Sequence, residues 1–330
     1  MATRPATPRA VEELRIVLRE LGLSNGPLIP AYTLTAIDLK GQGLCAGCYI
    51  PRGTLIFDEA PLFSITNCED PLTPANQNQI QQEAAQHPEF RGLHCSGPRQ
   101  GLPQRPSALP RFELNNIEMN GQERRRGIFM NAARLNHSCV PNAHFEYDEF
   151  LGRLTVYAIH NIEQGDEILV SYMSRDWHKT THDRKTDLRR NYGFACRCQP
   201  CKGGARFDWV RQHGRLEVSK LWAKIDKHRQ RPRSSLQQGF QYLQDLSTLT
   251  QMLKFEGLVY PALAEVYEFM AEYCSEELSL PQELAAVRHE VLRDRGQHAA
   301  RYKLRLAVMC TGQNSQIVAE ILTWMEGLGF

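Results

Sequence analysis

The chain has 330 residues, room for one large or two ordinary domains, and its balance of 42% hydrophobic to 23% charged residues is that of a globular protein rather than a disordered one. A net charge of +2 gives no general electrostatic reason to expect direct nucleic-acid binding or attachment to a membrane surface. No run approaches the ~18 apolar residues of a membrane span, and the polar, Pro-containing start "MATRPATPRA" has no secretory core. The ten cysteines are therefore expected to stay reduced inside the cell, in nucleus or cytoplasm.

Residues 1–31 read as an N-terminal arm with one short amphipathic helix. "VEELRIVLRELGL" (11–23) carries apolar residues at helical spacing and stops at Gly22. From 32 to 65 the texture changes to short β-branched runs cut by "KGQG" and "PRG", the pattern of strands joined by turns. Residues 66–110, rich in Pro, Gln, Asn and Gly, read as a long insertion with a helix over "ANQNQIQQEAAQ". Strands return over 111–172, and "FLGR" between "HFEYDEF" and "LTVYAIHNI" marks a hairpin connection.

Beyond about residue 206 the apolar residues recur at i, i+3, i+4 and i+7 in five segments separated by short breaks, which predicts an array of antiparallel helices over 206–330. No fixed-period repeat stands out.

The cysteine pattern carries chemistry. "FACRCQPCKGG" (194–204) holds Cys196, Cys198 and Cys201 as C-x-C-x-x-C. A structural zinc takes four thiolate or imidazole ligands, so this segment is one ligand short. Cys45 and Cys48 also form a C-x-x-C, but residues three apart on a strand point to opposite faces, and core packing is the simpler reading. His178 and His182 have ligand-like spacing without a helical pattern or a third ligand and read as solvated loop. Cys68, Cys95, Cys274 and Cys310 have no clustered partner and read as structural.

Four blocks, taken together, resemble a known family. "RLNHSCVPNAHF" (134–145) is similar to the N-H-S-C-x-P-N signature of SET-domain protein methyltransferases, and "GDEILVSY" (165–172) to the second signature of that family. "CRCQPC" follows as the post-SET cysteines, and "KGQGLCAGCYIPRGTLIFDEAPL" looks like the opening strands; all four stand in the family's order. The likeness covers roughly residues 32–202, and the helical tail is similar to that of SET and MYND relatives and fungal SET proteins. One departure is visible: the span 66–110 has only Cys68 and Cys95, too few for the MYND zinc module.

The resemblance implies an α+β protein: a β-rich SET domain over 32–205, a post-SET zinc segment at 194–204, and an α-helical C-terminal domain over 206–330. It implies that Cys139 is the fourth ligand of a structural zinc with Cys196, Cys198 and Cys201. It implies S-adenosylmethionine as cofactor, held by Lys40, Gly41, Gln42, Asn116 (or Asn115, if the alignment slips by one), Asn136, His137, Tyr172 and Phe194. Tyr172 would face the point of methyl transfer and Tyr192 would wall a lysine channel. The implied activity is methylation of a lysine on a histone or other protein partner. A catalytically silent SET scaffold that binds protein partners is the alternative, and it predicts erosion at Tyr172, Asn136 and His137, all of which are present.

Overall fold

The computed structural model describes residues 13–14, 16–17, 32–68, 72–94, 108–119, 124–149, 151–173, 176–202, 208–230, 236–278, 286–312 and 315–328. The chain forms two compact units. One is built from 28–172 with 182–202; the other holds 1–27, 173–181 and 203–330.

The first unit is made of short strands. β1 (Tyr32–Ile37) and β2 (Gly41–Ala46) form an antiparallel hairpin in which Ile37 faces Gly41. Its turn places Leu39 at φ +59° and Gly41 at φ +83°, the left-handed region that glycine enters without steric penalty. β2 is exposed at Gly41 and Gln42 and buried from Gly43 to Ala46, because residues 165–168 pair along its other edge. There the amide of Ala46 donates to Asp166 O (2.9 Å) and that of Ile168 to Leu44 O (2.7 Å).

β3 (Leu55–Glu59), β8 (Ala143–Asp148) and β9 (Arg153–Ala158) form an antiparallel sheet with β9 in the middle. The hairpin expected at 150–153 is the β8–β9 turn, although residue 150 itself lies outside the described residues. β4 (Phe63–Ile65), β5 (Asn116–Glu118) and β6 (Arg126–Ile128) form a second sheet in the order β4-β6-β5. The buried core joins Leu44, Ile56, Phe129, Val156, Ile168 and Val170.

The stretch between β4 and β5 is not a plain loop where it is described. Helix α1 (Pro74–Gln86) starts at Thr73, whose hydroxyl accepts from the Asn76 amide, with Pro74 in the first turn, where its missing N–H is no loss. A 3₁₀ turn follows (Pro88–Gly92), then α2 (Ala108–Asn115). Ile80, Phe90, Leu93 and Phe112 from these pieces close over Phe63, Ile65 and Ile128 as a second buried cluster. The span 95–107, including Cys95, lies outside the described residues.

Residues 181–192 are also helical, as α3 (Thr181–Tyr192), so His182 sits in a helix rather than in the expected loop. His178, which belongs to the second unit, is half-buried and stacks on Trp222 of the same unit at 5.4 Å. Cys45 is buried as expected, whereas Cys48 is exposed.

The second unit contains the five expected helices: α4 (Asp208–Arg229), α5 (Leu236–Phe255), α6 (Ala262–Leu278), α7 (Ala286–Thr311) and α8 (Gln316–Gly327). Ser315 caps α8 by accepting from the Val318 amide. Most of the helix expected at 11–23 lies outside the described residues. Glu13, Leu14, Ile16 and Val17 are helical, and Val17 packs with Leu304, Val308 and Ile321. No helix among the described residues is long and apolar enough to cross a membrane.

Candidate functional site

Two strands of two residues each organise the site. β7 (Asn136–His137) lies parallel to β10 (Leu169–Val170), with Asn136 opposite Leu169 and His137 opposite Val170. So short a pair needs outside support, and Asn142 supplies it. Its side chain donates to Glu167 O (2.9 Å) and accepts from the Leu169 amide (2.7 Å), while its carbonyl accepts from the Ile159 amide (2.8 Å). On the approach to β7, Glu59 receives the backbone amides of Asn131 (3.0 Å) and Ala132 (2.8 Å) and so fixes the turn that leads in.

The pair delivers His137 beside Tyr172. The Tyr172 amide donates to His137 Nδ1 at 3.0 Å. That nitrogen must therefore be the bare one, which leaves the ring proton on Nε2, 3.3 Å from Cys139 Sγ. The Tyr172 hydroxyl donates to Leu135 O at 2.7 Å. Burial, with lesser contributions from Tyr192 and Glu167, pushes its ionisation well above the ordinary tyrosine value. It is a hydrogen-bond donor and not a base at neutral pH. Tyr192 lies 4.9 Å from it between ring centres, and Phe194 meets it edge-on at 6.3 Å and His137 at 6.2 Å. The four rings form one aromatic wall.

A polar patch adjoins it. Lys40, in the β1–β2 turn, pairs with Glu167 at 2.5 Å. The Asn136 amide nitrogen donates to the other Glu167 oxygen (2.8 Å) and to Gln42 O (3.1 Å), and Arg134 donates to the Gln42 side chain. Gly43 permits this closeness. A Cβ there would stand 2.7 Å from Ile37 Cγ1 and 2.8 Å from both Asn136 Nδ2 and Glu167 Oε1. A Cβ at Gly41, by contrast, would meet nothing within 4 Å, so the turn opens onto free space.

The four cysteines converge. Their sulfurs lie within 4.8 Å of one another, with Cys196–Cys198 at 3.3 Å, Cys139–Cys201 at 3.6 Å and Cys139–Cys196 at 4.0 Å. A tetrahedral zinc with Zn–S bonds near ~2.3 Å holds its sulfurs roughly 3.8 Å apart. The donor set and the spacing both fit such an ion. Contacts from Cys196, Cys198 and Cys201 pull the Cys139 thiol far below its ordinary value, while Cys139 pushes Cys196 and Cys198 up. Among the described residues this is the only close group of three or more potential metal ligands.

Residues 41–173 match the family model for the SET domain. That stretch is a SET domain. The chain is 31% identical over 172 residues to histone-lysine N-methyltransferase set5 of Schizosaccharomyces pombe, an alignment that covers 52% of this chain and 50% of that one. It is 40% identical over 110 residues to histone-lysine N-methyltransferase SET5 of Meyerozyma guilliermondii, covering 33% and 20% respectively. It is 41% identical over 78 residues to protein-lysine N-trimethyltransferase SMYD5 of Danio rerio, covering 23% and 18%. The chain thus spans half or less of the length of these relatives.

Within the SET domain, one expected cofactor residue stands apart. The Asn116 amide nitrogen turns back on α2, donating to Phe112 O (2.9 Å) and Glu113 O (3.2 Å), and its neighbour Asn115 is buried and donates to His94 O and Arg111 O. Both side-chain amides are thus taken up by backbone carbonyls of α2 and of His94. Lys40, Gln42, Asn136, His137, Tyr172, Tyr192, Phe194 and the four cysteines are linked by the contacts above, with Gly41 between Lys40 and Gln42; all of them, and Asn115 and Asn116, belong to the first unit. Three residues were not singled out from sequence: Glu167, Asn142 and Arg184. The first two lie inside the quoted motifs, where a carboxylate two residues after glycine and an asparagine after proline are available signals. Arg184 sat in a segment read as loop.

Proposed function

We propose that the chain is an S-adenosylmethionine-dependent protein-lysine N-methyltransferase with one structural zinc. The observation that carries this reading is the joining of the two SET signatures through a single side chain: His137, from the first, receives the amide of Tyr172, from the second. The names of the relatives, each a protein-lysine or histone-lysine methyltransferase, support the same class of reaction.

Lys40, Asn136 and Glu167 offer a cation, an amide and a carboxylate side by side, a complement to the zwitterionic amino-acid end of the cofactor. Gly41 leaves the approach open, and Phe194 is available to stack on an adenine. S-adenosylmethionine, when bound, supplies a methyl group activated by a positively charged sulfur. The chain's own part is to present a neutral amine. A free lysine has a pKa near ~10.4, so it must shed a proton before it can react. The aromatic wall of Tyr172 and Tyr192 disfavours the ammonium form by desolvation. Tyr172, fixed to Leu135 O, positions the amine rather than taking its proton. Cys139, Cys196, Cys198 and Cys201 would hold the zinc, and thereby Phe194, two residues before Cys196. The protein partner presents the lysine; nine described cysteines are all free, which is consistent with an intracellular setting.

The test is transfer of labelled methyl from S-adenosylmethionine to proteins of nuclear and cytosolic extracts, beside Tyr172→Phe. Discrete labelled bands that fade in the variant are expected, and they would begin to name the substrate. A folded, zinc-loaded protein that binds no S-adenosylmethionine and labels nothing would overturn the reading in favour of a silent scaffold.

A further inference from the structure

Helix α3 is polar along almost its whole length, with only Arg184 and Leu188 buried, one turn apart on the same face. Burial of Leu188 needs no special account. Burial of Arg184, 2% exposed, does: a guanidinium keeps its charge in the interior, and removing that charge from water is expensive without an opposite charge nearby. The groups that act on it are the sulfurs of Cys139 and Cys201, which lie close enough to favour its charged form against the cost of burial. Four thiolates around one divalent zinc leave two negative charges in excess on the site. His137 Nε2 donates to one of the same sulfurs, but as a neutral ring.

We propose that Arg184 is the counter-ion of the four-cysteine metal site, a positioning residue that helix α3 carries into the interior to offset the excess charge of the bound ion's ligands. The inference rests on the zinc reading above. It gives α3 a purpose: the helix leads directly into the Cys196–Cys201 segment, and its one buried charge is directed at the cluster that this segment completes. The fork of the guanidinium suits this task, because it can donate to two sulfurs at once where a lysine would offer a single charged point.

The metal content of the purified full chain comes first. Zinc at about one per chain is expected, and its absence would overturn the zinc reading itself, separately from Arg184. Metal release to a chelating dye is then compared for the wild type, Arg184→Met and Arg184→Lys. Partners of metal ligands typically change affinity by about 10–100-fold, so release from Arg184→Met is expected to be faster by that factor, with Arg184→Lys recovering most of the loss. Melting is followed with and without zinc: the deficit of Arg184→Met should be larger in the loaded protein. Equal deficits in both forms, with release unchanged, would mean that Arg184 only fills space, and would overturn the proposal.

Should Arg184→Met fail to fold, cobalt(II)-substituted wild type and Arg184→Lys carry the test. A positive charge at the sulfurs raises the energy of the sulfur-to-cobalt charge-transfer band. Loss of one of its two contacts should move that band to longer wavelength, and an unmoved band would overturn the assignment.

Discussion

Gly43 is buried where β2 passes Asn136 and Glu167, and there is no room there for a methyl group. Gly43→Ala must displace the Asn136 amide or the Glu167 carboxylate by several tenths of an ångström. Such overpacking destabilises by about 1–3 kcal/mol, and here it also disturbs the patch assigned to the cofactor. A lower denaturant midpoint together with weaker S-adenosylmethionine binding by calorimetry is expected; unchanged affinity would detach that patch from the cofactor. Tyr172 makes a second prediction at this scale. Its ionisation is raised by burial, so the folded protein favours the protonated phenol more than the unfolded chain does. That contribution to stability is fully present below the ordinary tyrosine value near ~10 and is lost as pH rises above it. A transfer-rate profile should therefore carry no step from Tyr172 between pH 6 and 9, and Tyr172→Phe should reproduce the shape of the wild-type profile in that range at a rate lower by about 10²-fold. These residues were readable because the chemistry fixes residue types at fixed spacings: Asn136, His137 and Cys139 stand almost consecutively, and Tyr172 ends its own motif. Glu167 was in plain view but silent, since its partners Lys40 and Asn136 are 127 and 31 residues away and only the fold brings them near.

At the scale of elements, what stayed hidden in the sequence was hidden for one reason: too few apolar positions. α3 buries two side chains out of twelve residues, and one of them is an arginine, so no apolar period exists to be read. The five C-terminal helices were legible because they bury broad apolar faces. α1 was legible from its composition, but the closure of Ile80, Phe90 and Phe112 over Phe63 joins pieces that are separately too short to signal a core. If α3 is held by its single apolar contact point, Leu188→Ala should cost about 2–5 kcal/mol, far more than an alanine at an exposed position of the same helix, such as Lys185→Ala. Urea unfolding of the two variants side by side would decide it. In the helical unit the corresponding strong point is an ion pair, Arg215 with Glu256 at 2.9 Å, the side chains 1% and 5% exposed. Arg215 also donates to Trp177 O, so one guanidinium ties α4 to the end of α5 and to the segment at 177. Breaking one side of such a pair strands a buried charge, and Glu256→Gln should lower stability by about 3–5 kcal/mol.

On the scale of the whole molecule, the two units draw their stability from different sources. The SET unit is a set of two- and three-stranded sheets, and small sheets are weakly stable by themselves. Its last segment, 193–202, has no strand at all and one 3₁₀ turn, Gln199–Cys201, so under the zinc proposal four thiolates gathered on the ion would be its main tie to the rest. The helical unit has its own core around Val17, Leu304 and Val308, and contains none of the four cysteines. Chelation should therefore act unequally. Stripping zinc at constant pH is expected to lower the melting transition of the SET unit, to expose the 193–202 segment to limited proteolysis, and to weaken S-adenosylmethionine binding through Phe194. The transition of the helical unit should stay where it is. Scanning calorimetry on loaded and stripped protein, with mass mapping of the first proteolytic cuts, makes the comparison. Cuts that appear first in the α4–α8 region, or a loss of both transitions together, would place the metal's contribution outside the four-cysteine segment and contradict its role as the anchor of Phe194.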